Sequence, residues 1–168
     1  YGVIREAAGD AVVIACNAVS HLSAGIFEVY RTGDDTSGRL WSRTRAYGVN
    51  TLAFRLCQND AFYKIDADCV GIIPGKIDWS LNRQWLDILS VSGSPLFISV
   101  KPDDITDSMK EDIKKAFFRN SGQKDIAEPL DWLYNNQPQV WLINGEKREY
   151  DFVENSYPEL LSGSTQSY

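Results

Sequence analysis

Histidine occurs once in these 168 residues, and the three cysteines show no C-x-x-C spacing. Neither a zinc site nor a disulfide framework follows from Cys16, Cys57 and Cys69, which read as mostly buried thiols. His21 sits in a polar loop and reads as solvated. A basic excess is also missing: the net charge is −6 and no run of five or more basic residues occurs. A nucleic-acid partner therefore has no electrostatic footprint here. No stretch approaches the roughly twenty uncharged apolar residues of a membrane-spanning helix, so no membrane partner is expected. The opening YGVIREAAGD lacks the basic-then-apolar pattern of a signal peptide. Localisation is left open, since an extracellular or periplasmic longer parent is compatible with this. No metal and no cofactor is assigned.

What is present suits a packed domain. The chain is 43% apolar and carries five Trp and eight Tyr, enough for a core and too apolar for disorder. Aromatics of this kind also serve as platforms for the apolar face of a sugar, but core duty is expected of most of them. Along the chain, VIREAA (3–8) reads as a helix end stopped by Gly9 and Asp10. AVVIACNAV (11–19) reads as a strand buried on both faces. IFEVYR (26–31) is a second strand and 39–58 a broadly helical stretch. A third strand falls near 61–65, then an acid-bearing turn and another apolar step. Residues 79–92 form a helix with Trp79, Leu81, Trp85, Leu86 and Leu89 inward, and PLFISV (95–100) a fourth buried strand. DITDSMKEDIKKAFFRN is a helix with acids early and bases late, capped by Asp107. The order predicts about four βα units and a parallel sheet. After about residue 125 short segments split by Asn, Pro and Gly look antiparallel, and the Ser-rich end is expected to fray.

Both a doubly wound domain and half of an eight-stranded barrel fit that order. Polar residues favour the barrel. Asn17 follows the first strand, Arg31 and Asp35 the second, Asp66 and Asp68 the third, Ser99 and Lys101 the fourth. These are the C-terminal strand ends where barrel enzymes place their sites. In VYRTGDDTSGRLW (29–41), Asp34 and Asp35 are neighbours and cannot face one pocket from an extended segment, so only one is a candidate acid. A solvated turn is the bland reading of Gly-Asp-Asp. D-A-D-C (66–69) sets two carboxylates on one side, able to clasp hydroxyls or a metal, though no convincing third ligand is found.

With these residues in view, 3–143 resembles the C-terminal half of the catalytic barrel of α-galactosidase (melibiase)-type retaining glycoside hydrolases. IREAAGDAVVIACNAV, VYRTGDDTSGRLW, AFYKIDADCVGI, QWLDILSVSGSPLFIS and PLDWLYNNQPQVWLI carry the resemblance. It implies the second half of a (β/α)8 barrel over 1–125. Residues 126–168 would be the last barrel segment and a linker into a truncated β-domain. It further implies a general acid/base at Asp35, with substrate contacts at Arg31, Asn17, Cys16 and Trp41 and supporting carboxylates at Asp66 and Asp68. The family's nucleophile, the Asp of a K-x-D, belongs to an earlier strand upstream of Tyr1. Lys64-Ile65-Asp66 imitates that motif downstream, by coincidence. A fragment inactive alone is therefore expected, with an α-galactoside-type carbohydrate as partner and self-association through exposed half-barrel edges. Two alternatives stay open: a non-catalytic carbohydrate-binding or scaffold module, and a doubly wound domain with Asp34 and Asp35 at a metal-dependent hydrolytic site.

Overall fold

The computed structural model describes residues 1–122 and 127–152. Its first three strands, β1 (Ile14–Ala15), β2 (Val29–Arg31) and β3 (Lys64–Asp66), pair in parallel in that order. Helix α1 (Gly2–Ala8) precedes β1, and a short helix α2 (Ser20–Ser23) joins β1 to β2. Between β2 and β3 run α3 (Trp41–Arg43), a π-helical turn at Thr44–Val49, and α4 (Asn50–Arg55). Three residues past β3 the chain resumes as β4 (Val70–Ile72), which pairs in parallel with β5 (Ile98–Val100).

β3 and β4 act as one strand broken by a kink. Asp68 provides it, with a φ of 75° that side chains other than Gly seldom adopt. The first half pairs back to β2 and the second forward to β5, so the parallel order is sequential throughout. A doubly wound sheet needs a reversal of strand order at its switch point. None occurs among the described strands, which removes the basis for the doubly wound alternative. The described ladder does not close into a ring.

Helix α5 (Trp79–Val91) packs against this ladder and against α6 (Asp107–Gly122). It starts where the Asp78 carboxylate accepts the Ser80 N–H at 2.8 Å. Trp85, Leu86, Ile88 and Leu89 project into a core shared with Val49, Leu52, Ile65 and Val70. Burying each such side chain contributes about 1.5–3 kcal/mol. Trp79 and Leu81 are only partly buried against it. At the start of α6 the cap differs from the sequence expectation. The Thr106 hydroxyl accepts the Met109 N–H at 3.3 Å, while Asp107 pairs with Lys110 at 2.9 Å.

The C-terminal segment is antiparallel, as its broken texture suggests. β6 (Ala127–Pro129) pairs with β7 (Val140–Ile143), and β7 with β8 (Glu146–Glu149). Asn144 and Gly145, at φ 51° and 85°, make the two-residue turn that matches strand twist. Trp141 and Ile143 of β7 face the core, and the edge strand β8 carries four charged residues that discourage further pairing. Residues 153–168, including the Ser-rich end, lie outside the described residues.

Two strands depart from expectation. β1 and β5 are not buried on both faces: Ala15 is buried, but Val12 and Ile14 are exposed, and β5 is half-buried to exposed. The reason is position. Each ends the parallel ladder and has a partner on one side only. Val3 and Ile4 of α1 are exposed as well. The thiols also differ: Cys16 and Cys57 are exposed and Cys69 is partly buried.

Candidate functional site at the strand ends

β2 and β3 end side by side, with Arg31 opposite Asp66 in the ladder. Residues facing across a parallel pair stand close enough for a guanidinium to meet a carboxylate. Arg31 Nε donates to Asp66 Oδ2 at 2.9 Å, and its Nη1 lies 3.1 Å from Asp68 Oδ1. The Asp68 N–H donates to Asp66 Oδ1 at 2.8 Å, so the kink ties the two acids together. Asp66 and Asp68 side chains are 1% and 8% exposed, and the single Arg31 charge is shared between them. Burial draws the Arg31 pKa down, but its hydrogen bond to Asp66 and the charges of Asp66 and Asp68 outweigh this and raise it overall. The same cation reaches outward to Asp35 Oδ1, at 3.5 Å, on a side chain 66% exposed.

Why two acids stand side by side after β2 is answered by their partners. Asp34 accepts from Arg43 Nη2 at 2.8 Å, and its other oxygen accepts the Asp35 N–H at 2.8 Å. Asp34 thus organises the turn and Asp35 faces Arg31. Glycines bracket the segment because backbone passes too close for a side chain. A Cβ on Gly33 would lie 2.2 Å from the Tyr47 carbonyl oxygen of the π-helical turn. One on Gly38, where φ is 73°, would lie 2.3 Å from the Gly71 carbonyl oxygen of β4. The loop is clamped at both ends, with the acids between.

Solved structures share this fold. An α-galactosidase from Thermus thermophilus, in complex with p-nitrophenyl α-D-galactopyranoside, superposes with a TM-score of 0.60 at 16% identity, over 89% of this chain and 32% of that one. A GH27 β-L-arabinopyranosidase from Geobacillus stearothermophilus gives 0.63 at 15% identity, over 83% of this chain and 37% of that one. The fold is that of α-galactosidase-type glycoside hydrolases. The chain spans about a third of the length of the two structures. No protein-family model and no curated protein matches the sequence.

Within this glycoside hydrolase-type fold, the structure brings Arg31, Asp35, Asp66 and Asp68 into one charged cluster. Cys16 and Asn17 lie in the exposed turn after β1, one step beyond the Ala15–Tyr30 pair of the ladder, with Asn17 at a φ of 55°. Trp41 lies elsewhere: it is 1% exposed, packed in the core near Phe152, and its indole N–H has no hydrogen-bond partner among the described residues. Lys64-Ile65-Asp66 has no free carboxylate to act as a nucleophile, because Asp66 is held by Arg31 and by the Asp68 N–H. Among the described residues no group of three or more His, Cys, Asp or Glu side chains is arranged to hold a metal ion.

Sequence reasoning missed Thr36 and Arg43. Thr36, 1% exposed, donates its N–H to Asp68 Oδ2 at 2.6 Å and its hydroxyl toward the same oxygen at 3.0 Å. Arg43 binds Asp34 and also donates to the Asp35 carbonyl at 3.2 Å. A Thr directly after the second acid, and an Arg two positions past Trp41, were signals only in retrospect of the loop's path. Beside the cluster, burial and the Asp68 carboxylate push the Cys69 thiol up to about 11. A groove of about 660 Å³ lies apart from these residues, between α5, α6 and β8, over Asp87, Arg119, Arg148 and Tyr150.

Proposed function

We propose that this chain is the second half of an α-galactosidase-like (β/α)8 barrel, joined to the opening of a β-domain, in a retaining glycoside hydrolase. One observation carries the reading: an accessible carboxylate, Asp35, is held by an arginine whose other contacts are two buried acids at the ends of parallel strands. Sequential strand order and the likeness to the two glycosidases support it.

In this reading Asp35 gives its proton to the departing glycosidic oxygen. It then takes a proton from the water that attacks the glycosyl-enzyme. Its exposure leaves it open to substrate. Arg31 orients Asp35 and binds sugar hydroxyls, while Asp66 and Asp68 hold Arg31. Asn17 and Cys16 border the sugar from the neighbouring strand end. The substrate class is a terminal α-linked galactose or a related sugar.

A retaining mechanism needs a second carboxyl about 5–5.5 Å from the first. The described residues offer no candidate: Asp34 is turned to Arg43, and Asp66 and Asp68 are buried and paired. The nucleophile belongs to the other half of the barrel, and the isolated chain is inactive. The same shortage favours a second reading, a non-catalytic carbohydrate-binding or scaffold module on this fold. An aryl α-galactoside assay separates them. The chain alone should release no aryl alcohol. A protein that also carries an upstream half-barrel ending a strand in K-x-D should turn over. Silence from that longer protein, with galactose binding retained, supports the module.

A further inference from the structure

The contacts of Asp68 lead beyond the ion pair to the residue that orients it. Its two oxygens have separate partners. Oδ1 lies 3.1 Å from Arg31 Nη1, whereas Oδ2 takes the Thr36 N–H and hydroxyl at 2.6 and 3.0 Å. The same hydroxyl lies 2.8 Å from the Cys69 carbonyl oxygen, so its single proton is shared between Asp68 Oδ2 and that carbonyl and ties together both residues of the kink after Ala67. Thr36 is buried, follows Asp35 directly, and precedes the contact of Gly38 with Gly71.

We infer that Thr36 is a positioning residue: it holds Asp68 by Oδ2, leaves Oδ1 turned to Arg31, and so sets where Arg31 stands between the buried acids and Asp35. The inference rests on the reading of Asp35 and Arg31 as a working pair, and it deepens that reading. A carboxylate can rotate, and one held through a single oxygen by two donors cannot do so freely. Without the hydroxyl, Oδ2 loses the Thr36 side-chain donor and keeps the backbone one, and the carboxylate gains freedom to turn away from Arg31. Arg31 then exchanges between partners instead of spanning them. A carboxylate held by charge-assisted bonds in a buried place is where loss of one donor is felt most.

The test needs no sugar. Solvent exchange of the Arg31 Nε–H, which donates to Asp66, is followed by NMR in the unmodified chain and in Thr36→Val, Thr36→Ser and Asp68→Asn. Thr36→Val should speed this exchange about fivefold relative to the unmodified chain. Thr36→Ser, which keeps the hydroxyl, should restore it, and Asp68→Asn should speed it as Thr36→Val does. Backbone amides of α5 should keep their protection in all three, which a general loosening of the fold would not allow. If Thr36→Val does not fold, Asp68→Asn and Thr36→Ser decide the matter. Arg31 exchange unchanged in Asp68→Asn, or accelerated in Thr36→Ser as much as in Asp68→Asn, overturns the assignment, as does an unchanged rate in a folded Thr36→Val. A failed galactoside assay leaves this result untouched, and a failed exchange test leaves the assay untouched.

Discussion

Among the described residues two arginine–carboxylate clusters, at the strand ends and between α5, α6 and β8, are built in opposite proportion. At the strand ends a single cation, Arg31, meets three acids, Asp35, Asp66 and Asp68. Between α5, α6 and β8 a single acid, Asp87, accepts from Arg119, from Arg148 at 3.3 Å and from the Tyr150 hydroxyl at 2.7 Å. The second cluster fastens the antiparallel unit to the helices. Gln84 helps by accepting the Asp151 N–H at 2.6 Å. Burial and the Asp87 charge push the Tyr150 hydroxyl upward, so it stays a donor. That cluster is a fastening whose acid is fully engaged. The first has an acid left over, and Asp35, far more exposed than its two fellows, is the one that can meet another molecule. In the proposed reading, the contrast separates a structural use of charge from a functional one.

Removing each hub should grade the comparison. Arg31→Gln leaves two buried carboxylates facing each other, and breaking a buried pair costs about 3–5 kcal/mol. Urea denaturation should show a chain barely folded or unfolded; near-native stability would mean Asp66 and Asp68 find other partners. Gly38→Ala should cost about 2–4 kcal/mol, since the new Cβ meets the Gly71 carbonyl at a positive φ. A fully stable Gly38→Ala would show that the acid-bearing loop is not clamped on β4. Asp87→Asn keeps an acceptor for Tyr150 but loses the charge, in a partly exposed setting, and should cost about 1–2 kcal/mol. Its melting should begin at the antiparallel unit, with amides of β7 and β8 losing protection before those of α5.

The smallest effect concerns the thiol beside the rim. Folding raises the Cys69 thiol from its ordinary 9.0 to about 11, so the folded state holds this proton more tightly than the unfolded state. The stability it contributes is present below pH 9 and lost as pH rises through about 11. At pH 8 a thiol reagent should label exposed Cys16 and Cys57 quickly and Cys69 slowly, and all three alike in urea. Equal rates in the folded chain would place Cys69 outside the protected kink.

Legibility in the sequence followed local chemistry. Helix α5 was readable because Trp85, Leu86 and Leu89 repeat at helical spacing, whereas its cap, Asp78, went unread. The antiparallel turn of mind after residue 125 was readable from Asn, Pro and Gly. The broken strand was only half visible: two apolar steps flank D-A-D-C, but a left-handed Asp68 has no sequence signature comparable to a glycine. β1 and β5 looked like central strands because apolar runs report what a strand can bury, whereas what covers it depends on neighbours far along the chain. At the site, strand alternation set the expectation that Asp34 and Asp35 face different partners; they do, but in a bend past the end of β2, where Asp34 holds the Asp35 N–H and Arg43. Thr36 was invisible because its role depends on a carboxylate thirty-two residues away.

The account stands most directly on Asp35 acting where Asp34 does not. In a protein that joins this chain to an upstream half-barrel, Asp35→Asn and Asp34→Asn should be compared by initial rates on an aryl α-galactoside. The account predicts a loss of about 10²–10⁴-fold for Asp35→Asn and a change of no more than about twofold for Asp34→Asn, whose surface ion pair contributes little. Turnover that survives Asp35→Asn, or falls as far with Asp34→Asn, would contradict it.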